Sequence, residues 1–339
     1  MKKVLFGKSN LYKANLHTHT DISDGDYSPE EVKRRYKEKG YSVVAFTDHE
    51  VFVPHNELTD ENFLAINGYE VAINESKPAL DFQFIKTYHL NLYAERNDIT
   101  VPPVFNEQNM WIQKSKAYVT EDMKKIAYPF NYSAECVNDI IARAKKAGFL
   151  LCYNHPVWSM QNYVDYKDVK GSWGIEVFNT AADSVNLTDT DVPFSDMLKL
   201  GEKPFPIAAD DSHKAEHIGG GFCMIDSPAL EYGSIISALK NGDFYASEAP
   251  LIKEIFIEDG VLTVITSPCE KIVMLTNRRY TVGRRGEGGE GITKAEIPLK
   301  VFYNWNGKGE GEDYFRIVVT DNRGKKAYTR AFFKEDFDL

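Results

Sequence analysis

The sequence predicts an α/β protein in which parallel strands alternate with helices, followed by a smaller all-β part. Up to about residue 245, short apolar runs rich in β-branched residues alternate with segments of helical spacing. That succession is typical of parallel strands joined by helical crossovers, in a closed barrel or an open sheet. After about residue 248 no helical period appears, and short alternating runs are separated by turn residues. We therefore predict two domains, 1–248 and 249–339, the second an antiparallel β-sandwich.

Two helices of the first part have clear start and stop signals. Ser28 is a good N-cap, with Pro29 at the first helical position, and Gly40 lies just past the expected end. Ser133 opens a second helical stretch, and Gly148 stops it. Each helix is flanked by a strand-like run, as a crossover connection requires.

The second part contains one clear hairpin signal. Two alternating runs between residues 254 and 266 flank Asp259-Gly260, a pair that favours a tight turn between antiparallel strands. The same alternation predicts four further strands, at Lys271–Leu275, Ile297–Tyr303, Tyr314–Thr320 and Ala327–Phe333.

Composition excludes several classes of function. The chain has 40 basic and 50 acidic residues, a formal net charge of −10, which argues against broad binding to nucleic acid or anionic membranes. No stretch approaches the roughly 20 apolar residues of a membrane span, and the first residues lack the apolar run of a signal peptide. The four cysteines are scattered. We expect a cytoplasmic protein without disulfides.

Histidine and carboxylate residues recur where the predicted strands end. His17 and His19 are alternate residues of an extended segment, so both can face one ion. Active sites of parallel α/β folds gather at the carboxyl ends of strands. Each residue alone has an ordinary structural explanation, such as a core histidine or a turn carboxylate. Their joint recurrence predicts a metal site, with nine candidate ligands: His17, His19, Asp24, His49, Glu70, His89, His155, Asp211 and His213.

The order of these motifs resembles the PHP (polymerase and histidinol phosphatase) superfamily of metallohydrolases over about residues 14 to 245. The resemblance implies a distorted (β/α)₇ barrel. The β-rich tail is similar to the appended sandwich of two-domain PHP proteins, which include the CehA/McbA-like metallohydrolases. Two departures stand out: the carboxylate Asp210 beside Asp211, which could tune the site or support a histidine, and an aromatic-containing insertion at 97–130.

The resemblance also implies a trinuclear site. His17, His19, Glu70 and Asp211 would hold a first ion; Glu70, His89 and His155 a second; and Asp24, His49 and His213 a third. Mixed imidazole and carboxylate ligands suit zinc, manganese or iron better than magnesium, so we expect two or three divalent ions of this kind.

The predicted activity is hydrolysis of a small phosphorylated metabolite or nucleotide by a metal-activated hydroxide. His217 is the candidate for proton transfer, against the alternative of an ordinary loop histidine. Asn179 could donate to a phosphate or merely cap its strand. Three other functions stay open: a carboxylic ester or carbamate hydrolase, an amidohydrolase with a metal-bridging lysine, and a non-catalytic metal- or carbohydrate-binding protein.

Overall fold

The computed structural model describes residues 2–76, 84–279, 281–287, 290–300, 302 and 313–336. Its first part is built around seven strands: β2 (Asn10–Asn15), β3 (Val43–Phe46), β4 (Leu64–Asn74), β5 (Thr87–Ala94), β6 (Phe149–Tyr153), β7 (Gly174–Asn179) and β8 (Phe205–Ala209). The α-helices are α1 (Pro29–Glu38), α2 (Glu121–Lys125), α3 (Ala134–Ala147), α4 (Tyr163–Tyr166), α5 (Thr180–Ser184), α6 (Val192–Lys199) and α7 (Tyr232–Asn241).

These seven strands close into a distorted barrel. Strands β2, β3 and β4 are parallel, as are β6, β7 and β8, whereas β5 runs antiparallel to both of its neighbours. The barrel closes where the ends of β8 and β2 meet, through a parallel bridge between Thr18 and Ser212. The Asp211 amide donates to the carbonyl of His17 at 2.9 Å at the same seam. The predicted (β/α)₇ barrel is confirmed, with β5 as its distortion.

The two predicted helices form with the expected caps. The hydroxyl of Ser28 accepts a hydrogen bond from the amide of Glu31, and Pro29 is the first residue of α1. Ser133 caps α3 in the same way, and Gly148 ends it with φ +77°, a left-handed conformation that favours glycine. Local sequence therefore determines both helix boundaries.

The remaining strands continue the sheet beyond the barrel and add a second sheet. They are β1 (Lys3–Phe6), β9 (Phe222–Ser227), β10 (Phe244–Ser247), β11 (Ile252–Glu258), β12 (Val261–Cys269), β13 (Lys271–Thr276), β14 (Thr281–Arg285), β15 (Ile292–Pro298), β16 (Tyr314–Thr320), β17 (Lys326–Thr329) and β18 (Phe332–Phe333). One sheet runs β1-β11-β12-β15, and the other extends from β14 through β13, β16, β17, β10 and β9 to β2.

The C-terminal strands match the sequence prediction in part, and β14 is a strand that the sequence did not predict. Asp259 and Gly260 both have positive φ and join β11 to β12, as the hairpin signal predicts. The strand predicted at Ile297–Tyr303 instead ends at Pro298, and Tyr303 lies outside the described residues. The run Ala327–Phe333 is divided into β17 and β18.

The pairing pattern bears on the predicted domain division at 248. Strand β1 lies in the segment predicted as barrel, yet it pairs with β11 in the four-stranded sheet. Strand β10, at the end of that segment, pairs with β17. The boundary remains a prediction, but hydrogen bonds cross it in both sheets.

Two apolar cores support this arrangement. The first surrounds the barrel strands and includes Leu92, Ile175 and Ile207. The second combines residues of the C-terminal strands, such as Leu262 and Ile317, with Tyr36 of α1 and Val44 of β3. No helix among the described residues is long and apolar enough to cross a membrane.

A buried arginine ties the sandwich to a barrel helix. Arg316 of β16 donates from Nη2 to Asp191 Oδ2 and Ser195 Oγ, both at 2.7 Å. Only 7% of its side chain is exposed, and the guanidinium lies 5.3 Å from the ring centroid of Phe194. A buried charge with hydrogen-bonded partners is costly to remove, because its partners lose their compensation.

We expect Arg316→Met to lower the free energy of unfolding by about 2 kcal/mol, since it removes charge-assisted hydrogen bonds but keeps the apolar stem. Urea unfolding followed by circular dichroism measures the change. Arg323→Met is the matched control. The Arg323 side chain is 69% exposed and pairs with Asp321, so its loss should cost below about 1 kcal/mol. Equal losses in both variants would contradict a stabilising role for the Arg316 contacts.

Candidate metal centre

All nine predicted ligands lie together at one end of the barrel. Some of them follow the carboxyl ends of parallel strands, one lies in the loop after β2, and two lie within β4 and β5. Because these parts of the chain meet at the same end of the barrel, their side chains converge on one point. The residues are His17, His19 and Asp24 after β2, His49 after β3, Glu70 in β4, His89 in β5, His155 after β6, and Asp211 and His213 after β8.

Glu70 occupies the centre of this cluster. Its carboxylate is fully buried, and both of its oxygens face imidazole nitrogens. Oε1 lies 3.1 to 3.4 Å from three of them and Oε2 lies 3.2 to 3.4 Å from two more. The three on Oε1 belong to His17, His89 and His155, and the two on Oε2 to His19 and His49.

Two further carboxylates complete the cluster on its open side. Asp211 Oδ1 lies 3.2 Å from His17 Nε2 and 3.0 Å from His19 Nε2. Asp24 Oδ2 lies 3.4 Å from His213 Nε2 and 3.7 Å from His49 Nε2. Asp211, which follows β8, therefore reaches two ligands that follow β2, and Asp24 reaches one ligand after β3 and one after β8.

The ligand atoms group somewhat differently from the three implied sets. Four groups have their ligand atoms within 4.8 Å of one another: His19-Asp24-His49-His213, His17-His19-Glu70, His17-His155-Asp211 and His49-Glu70-His89. The expected third set appears with His19 added, and Glu70 is shared between two groups. His155 groups with Asp211 rather than with His89, so the division of ligands among ions stays a prediction.

The polar atoms of this cluster fit divalent cations. Five of them are buried without a hydrogen-bond partner among the described residues: His49 Nδ1, Glu70 Oε2, His89 Nε2, His155 Nε2 and Asp211 Oδ1. Buried polar atoms are costly unless they are compensated, and these five converge on one place. Carboxylate oxygens and imidazole nitrogens are ligands of transition-metal ions, which would compensate all five.

The electrostatics of the cluster favour positive charge. Burial alone would lower the pKa of His155, but Glu70 and Asp211 raise it to about 9. Burial likewise opposes protonation of His213, and Asp24 and Asp211 raise its pKa to about 9. Burial would raise the pKa of Glu70 and Asp211, yet neighbouring imidazoles hold both well below their usual range. Divalent cations would therefore compete with protons for these sites.

Glu176 contacts two of the candidate ligands, His17 and His155. The sequence analysis did not predict it as a site residue. It is fully buried in β7, and its Oε1 accepts a hydrogen bond from His17 Nδ1 at 2.7 Å. Its Oε2 accepts from the amide of His155 at 3.0 Å. The contact fixes the His17 ring with Nε2 towards Glu70 and Asp211. A single charged residue inside an otherwise apolar strand was the available signal.

Asp48 holds the loop that follows β2. Its oxygens accept from the amide and hydroxyl of Thr20, both at 2.8 Å, and from the hydroxyl of Ser23 at 2.6 Å. These bonds fold the segment between His19 and Asp24 back towards the cluster. Asp48 therefore acts on the site by positioning this segment.

Asp210 has a structural role that the sequence did not predict. Its carboxylate accepts from the amides of Gly219, Gly220 and Gly221 at 2.7 to 2.9 Å and from Thr180 Oγ1 at 2.7 Å. Gly219 has φ +101°, a conformation that suits glycine. The expectation that Asp210 supports a histidine is wrong, because backbone amides and a hydroxyl are its partners.

Asn179 and His217 lie beside the cluster, and neither lines the cavity that opens onto it. Asn179 is fully buried; its Nδ2 donates to Glu176 and Asp211, and its Oδ1 caps α5 by accepting from the amide of Ala182. Its amide group is therefore already used, which opposes the predicted contact with substrate. His217 lies behind His213, where its Nδ1 accepts from the His213 amide at 3.4 Å. Both residues position ligands in this structure.

A cavity of about 140 Å³ opens onto the cluster. It is lined by seven of the nine candidate ligands and by three apolar residues: Asp24, His49, Glu70, His89, His155, Asp211 and His213, with Ala72, Trp111 and Trp158. Trp111 belongs to the insertion at 97–130. The insertion thus forms part of the cavity wall, a placement that sequence alone did not indicate.

A protein-family model matches the segment that contains most of the candidate ligands. Residues 15–104 match the family model described as PHP domain. This segment contains six of the nine candidate ligands, from His17 to His89. The PHP resemblance is thereby confirmed for the segment, and it supports a metal-dependent hydrolase.

Several solved structures are similar in outline. One is a two-domain protein from Bacteroides vulgatus containing a "predicted PHP-like metal-dependent phosphoesterase", with 14% identity, a TM-score of 0.45, and 97% of this chain and 98% of that chain covered. Another is a lesion-specific endonuclease from Pyrococcus furiosus, with 15% identity, a TM-score of 0.43, and 68% and 56% covered. Comparison with curated proteins finds no match.

We expect Glu176→Gln to weaken metal binding by about 10- to 100-fold, because His17 loses the carboxylate that orients it. Metal content after dialysis against a graded chelator measures the effect, with circular dichroism to verify folding. Glu57→Gln is the control, since the side chain of Glu57 is 64% exposed. Unchanged metal retention in Glu176→Gln would show that His17 needs no such support.

We expect Asp210→Asn to lower the free energy of unfolding by about 2 to 3 kcal/mol, because its amide cannot accept from all the donors that now converge on the carboxylate. Asp139→Asn provides a surface comparison, as Asp139 is 48% exposed and pairs along its helix with Arg143. Thermal and urea unfolding distinguish the two. A loss no larger than that of the surface variant would contradict the anchoring role.

Proposed function

We propose that the protein is a metal-dependent phosphoesterase that hydrolyses a small phosphorylated metabolite or nucleotide. The single observation that carries this proposal is the set of five buried ligand atoms that have no hydrogen-bond partner among the described residues and lie beside one cavity. A structural metal site is closed by its ligands, whereas a catalytic site remains open to substrate. Here seven candidate ligands form the wall of a cavity, which supports the catalytic alternative.

The residues that would hold the metal are the nine of the cluster. We expect two or three ions of zinc, manganese or iron, with Glu70 shared between them. Divalent ions held there would supply a hydroxide at neutral pH and would neutralise charge on phosphoryl oxygens.

The chain's own residues orient this centre. Glu176 accepts from His17 Nδ1, and the Asp211 carbonyl accepts from His213 Nδ1 at 2.8 Å. Each bond leaves the Nε2 atom of the ring directed at the cluster. His17 and His19 are fully buried at the base of the cluster, which limits the approach of bulk water from below. We propose that His217 supports His213 by position, and proton transfer by His217 remains a prediction.

The rival functions differ in what the cavity should contain. An amidohydrolase of the kind considered above needs a metal-bridging lysine, and no lysine is found among the described residues lining the cavity. A carboxylic ester or carbamate hydrolase needs the same metal-activated hydroxide, so only substrates distinguish it. The CehA/McbA-like relationship and a cytoplasmic location remain predictions.

We expect the metal-loaded protein to release phosphate from phosphomonoesters, and the variants His17→Gln and Asp211→Asn to lose at least about 100-fold in kcat/KM, because each removes a ligand from the centre. The assay compares phosphomonoesters, phosphodiesters, carboxylic esters and carbamates with each of the three metals. His55→Gln is the matched control, since His55 is a buried histidine that does not line the cavity.

Two results would contradict the proposal. If only esters or carbamates are hydrolysed, the phosphoesterase assignment fails and the ester hydrolase replaces it. If no substrate reacts, or the two ligand variants keep full activity, the catalytic role of the cluster fails. Metal analysis of the same samples then shows whether a binding function survives.

A further inference from the structure

The cavity wall consists of two chemically different parts. Seven of its ten lining residues are candidate metal ligands, and the other three are Ala72, Trp111 and Trp158. No lysine, arginine, serine, threonine, asparagine, glutamine or tyrosine lines it among the described residues. A substrate must therefore meet the metal cluster with one end and an apolar surface with the other.

Trp158 forms one side of the apolar part. Its ring centroid lies 5.3 Å from that of His89 and 5.1 Å from that of His155, and its side chain is half-buried. The neighbouring Ser159 hydroxyl lies 3.3 Å from His155 Nδ1. The short loop after β6 thus carries both the Trp158 indole and the candidate ligand His155, in contact with each other.

Trp111 forms the other side, and the insertion that carries it is anchored on the barrel. Asn109 Nδ2 donates to the carbonyl of Ala72 at 2.6 Å and to Glu50 Oε1 at 2.9 Å. Further along the insertion, Ser115 Oγ donates to the carbonyl of Ile22 at 2.9 Å. The backbone of the insertion is thereby attached to β4 and to the loop that follows β2.

Between these anchors the side chains alternate in burial. Met110 and Ile112 are buried, whereas Trp111 is 59% exposed, with its ring centroid 5.8 Å from that of His49. Trp111 thus offers an accessible aromatic surface at the wall of the cavity, where a ligand can cover it. Ala72 lies in β4 two residues after Glu70, and its small side chain leaves room at the base of the apolar part.

We propose that Trp111 and Trp158 bind the flat, apolar leaving group of a substrate whose single phosphoryl group meets the metal cluster. This inference rests on the proposed function. Substrates with several phosphates would need further basic residues, and sugars would need hydrogen-bonding side chains for their hydroxyls. Apart from the candidate metal ligands, the described lining residues are Ala72, Trp111 and Trp158, which supply neither. Aromatic surfaces favour stacking with planar groups.

The products follow from simple hydrolysis. The bond between phosphorus and the leaving oxygen breaks, water adds its hydroxyl to phosphorus, and its proton passes to the leaving oxygen. The products are inorganic phosphate and a flat alcohol, and no further reactant is needed.

The test uses leaving groups of similar basicity, so that differences report binding rather than bond strength. We compare 2-phenylethyl phosphate, ethyl phosphate and glucose 6-phosphate with the protein loaded with its most active metal, or with Zn²⁺ if none gives turnover. We expect kcat/KM for the phenylethyl ester to exceed that for the ethyl ester by about tenfold or more, as one aromatic contact can provide.

Variants identify the origin of this preference. In Trp111→Ala and in Trp158→Ala the ratio of the two kcat/KM values should fall severalfold, and Trp111→Phe should restore most of it. Tyr118→Ala is the matched control: Tyr118 is an exposed aromatic of the same insertion, 43% accessible, that does not line the cavity. Its ratio should equal that of the unaltered protein.

Binding of 2-phenylethanol, followed by saturation-transfer NMR on the same metal-loaded protein, separates the two hypotheses. A signal that disappears in the Trp111→Ala/Trp158→Ala double variant but persists in Tyr118→Ala supports the aromatic subsite even if no ester reacts, in which case only the proposed activity fails. Phosphate release without preference for the phenylethyl ester, a preference for glucose 6-phosphate, or alcohol binding that the double variant retains would overturn the subsite while the phosphoesterase stands.

Discussion

The buried carboxylate of Glu70 is the constraint on which the rest of the site depends. A charge with no solvent access must be compensated, and five imidazole nitrogens from four other segments surround it. Such a cluster requires the barrel to bring those segments to one end. The antiparallel strand β5 also brings a ligand to Glu70. It pairs with β4 so that His89 lies opposite Ala72, two residues along β4 from Glu70.

The sequence predicted the ligands better than it predicted their supports. His17 and His19 could be recognised because the alternation of an extended strand, and the position of strand ends in a parallel fold, are local rules. Glu176 escaped because a charged residue within an apolar strand has no local signature of its partner, His17, which lies 159 residues away. Asp210 was identified as an unusual carboxylate, but its role was not predicted. Most of its partners are backbone amides of the segment Gly219–Gly221, and no side chain in the sequence marks which amides will donate.

The role of the insertion at 97–130 illustrates the same limit at a larger scale. Its aromatic content was visible, yet the place of Trp111 depends on two distant hydrogen bonds of Asn109, to β4 and to Glu50. The barrel supplies the chemistry of the site and the insertion shapes the access to it. Changes in this segment could therefore alter the substrate while the metal ligands stay the same.

The pairing of β1 with β11 has a consequence for how the chain is made. Residues near the N-terminus, such as Val4, find their partner Phe256 only after some 250 further residues have been synthesised. Until then the edge of β1 has no β11 to pair with, and the edge of β10 that pairs with β17 is likewise open until β17 has been synthesised. The barrel strands β2 to β8 precede both of these partners, so the strand pairs beside the barrel are completed last. A nascent chain, or one that ends before β11, would expose two strand edges to neighbouring molecules, with aggregation as the expected outcome.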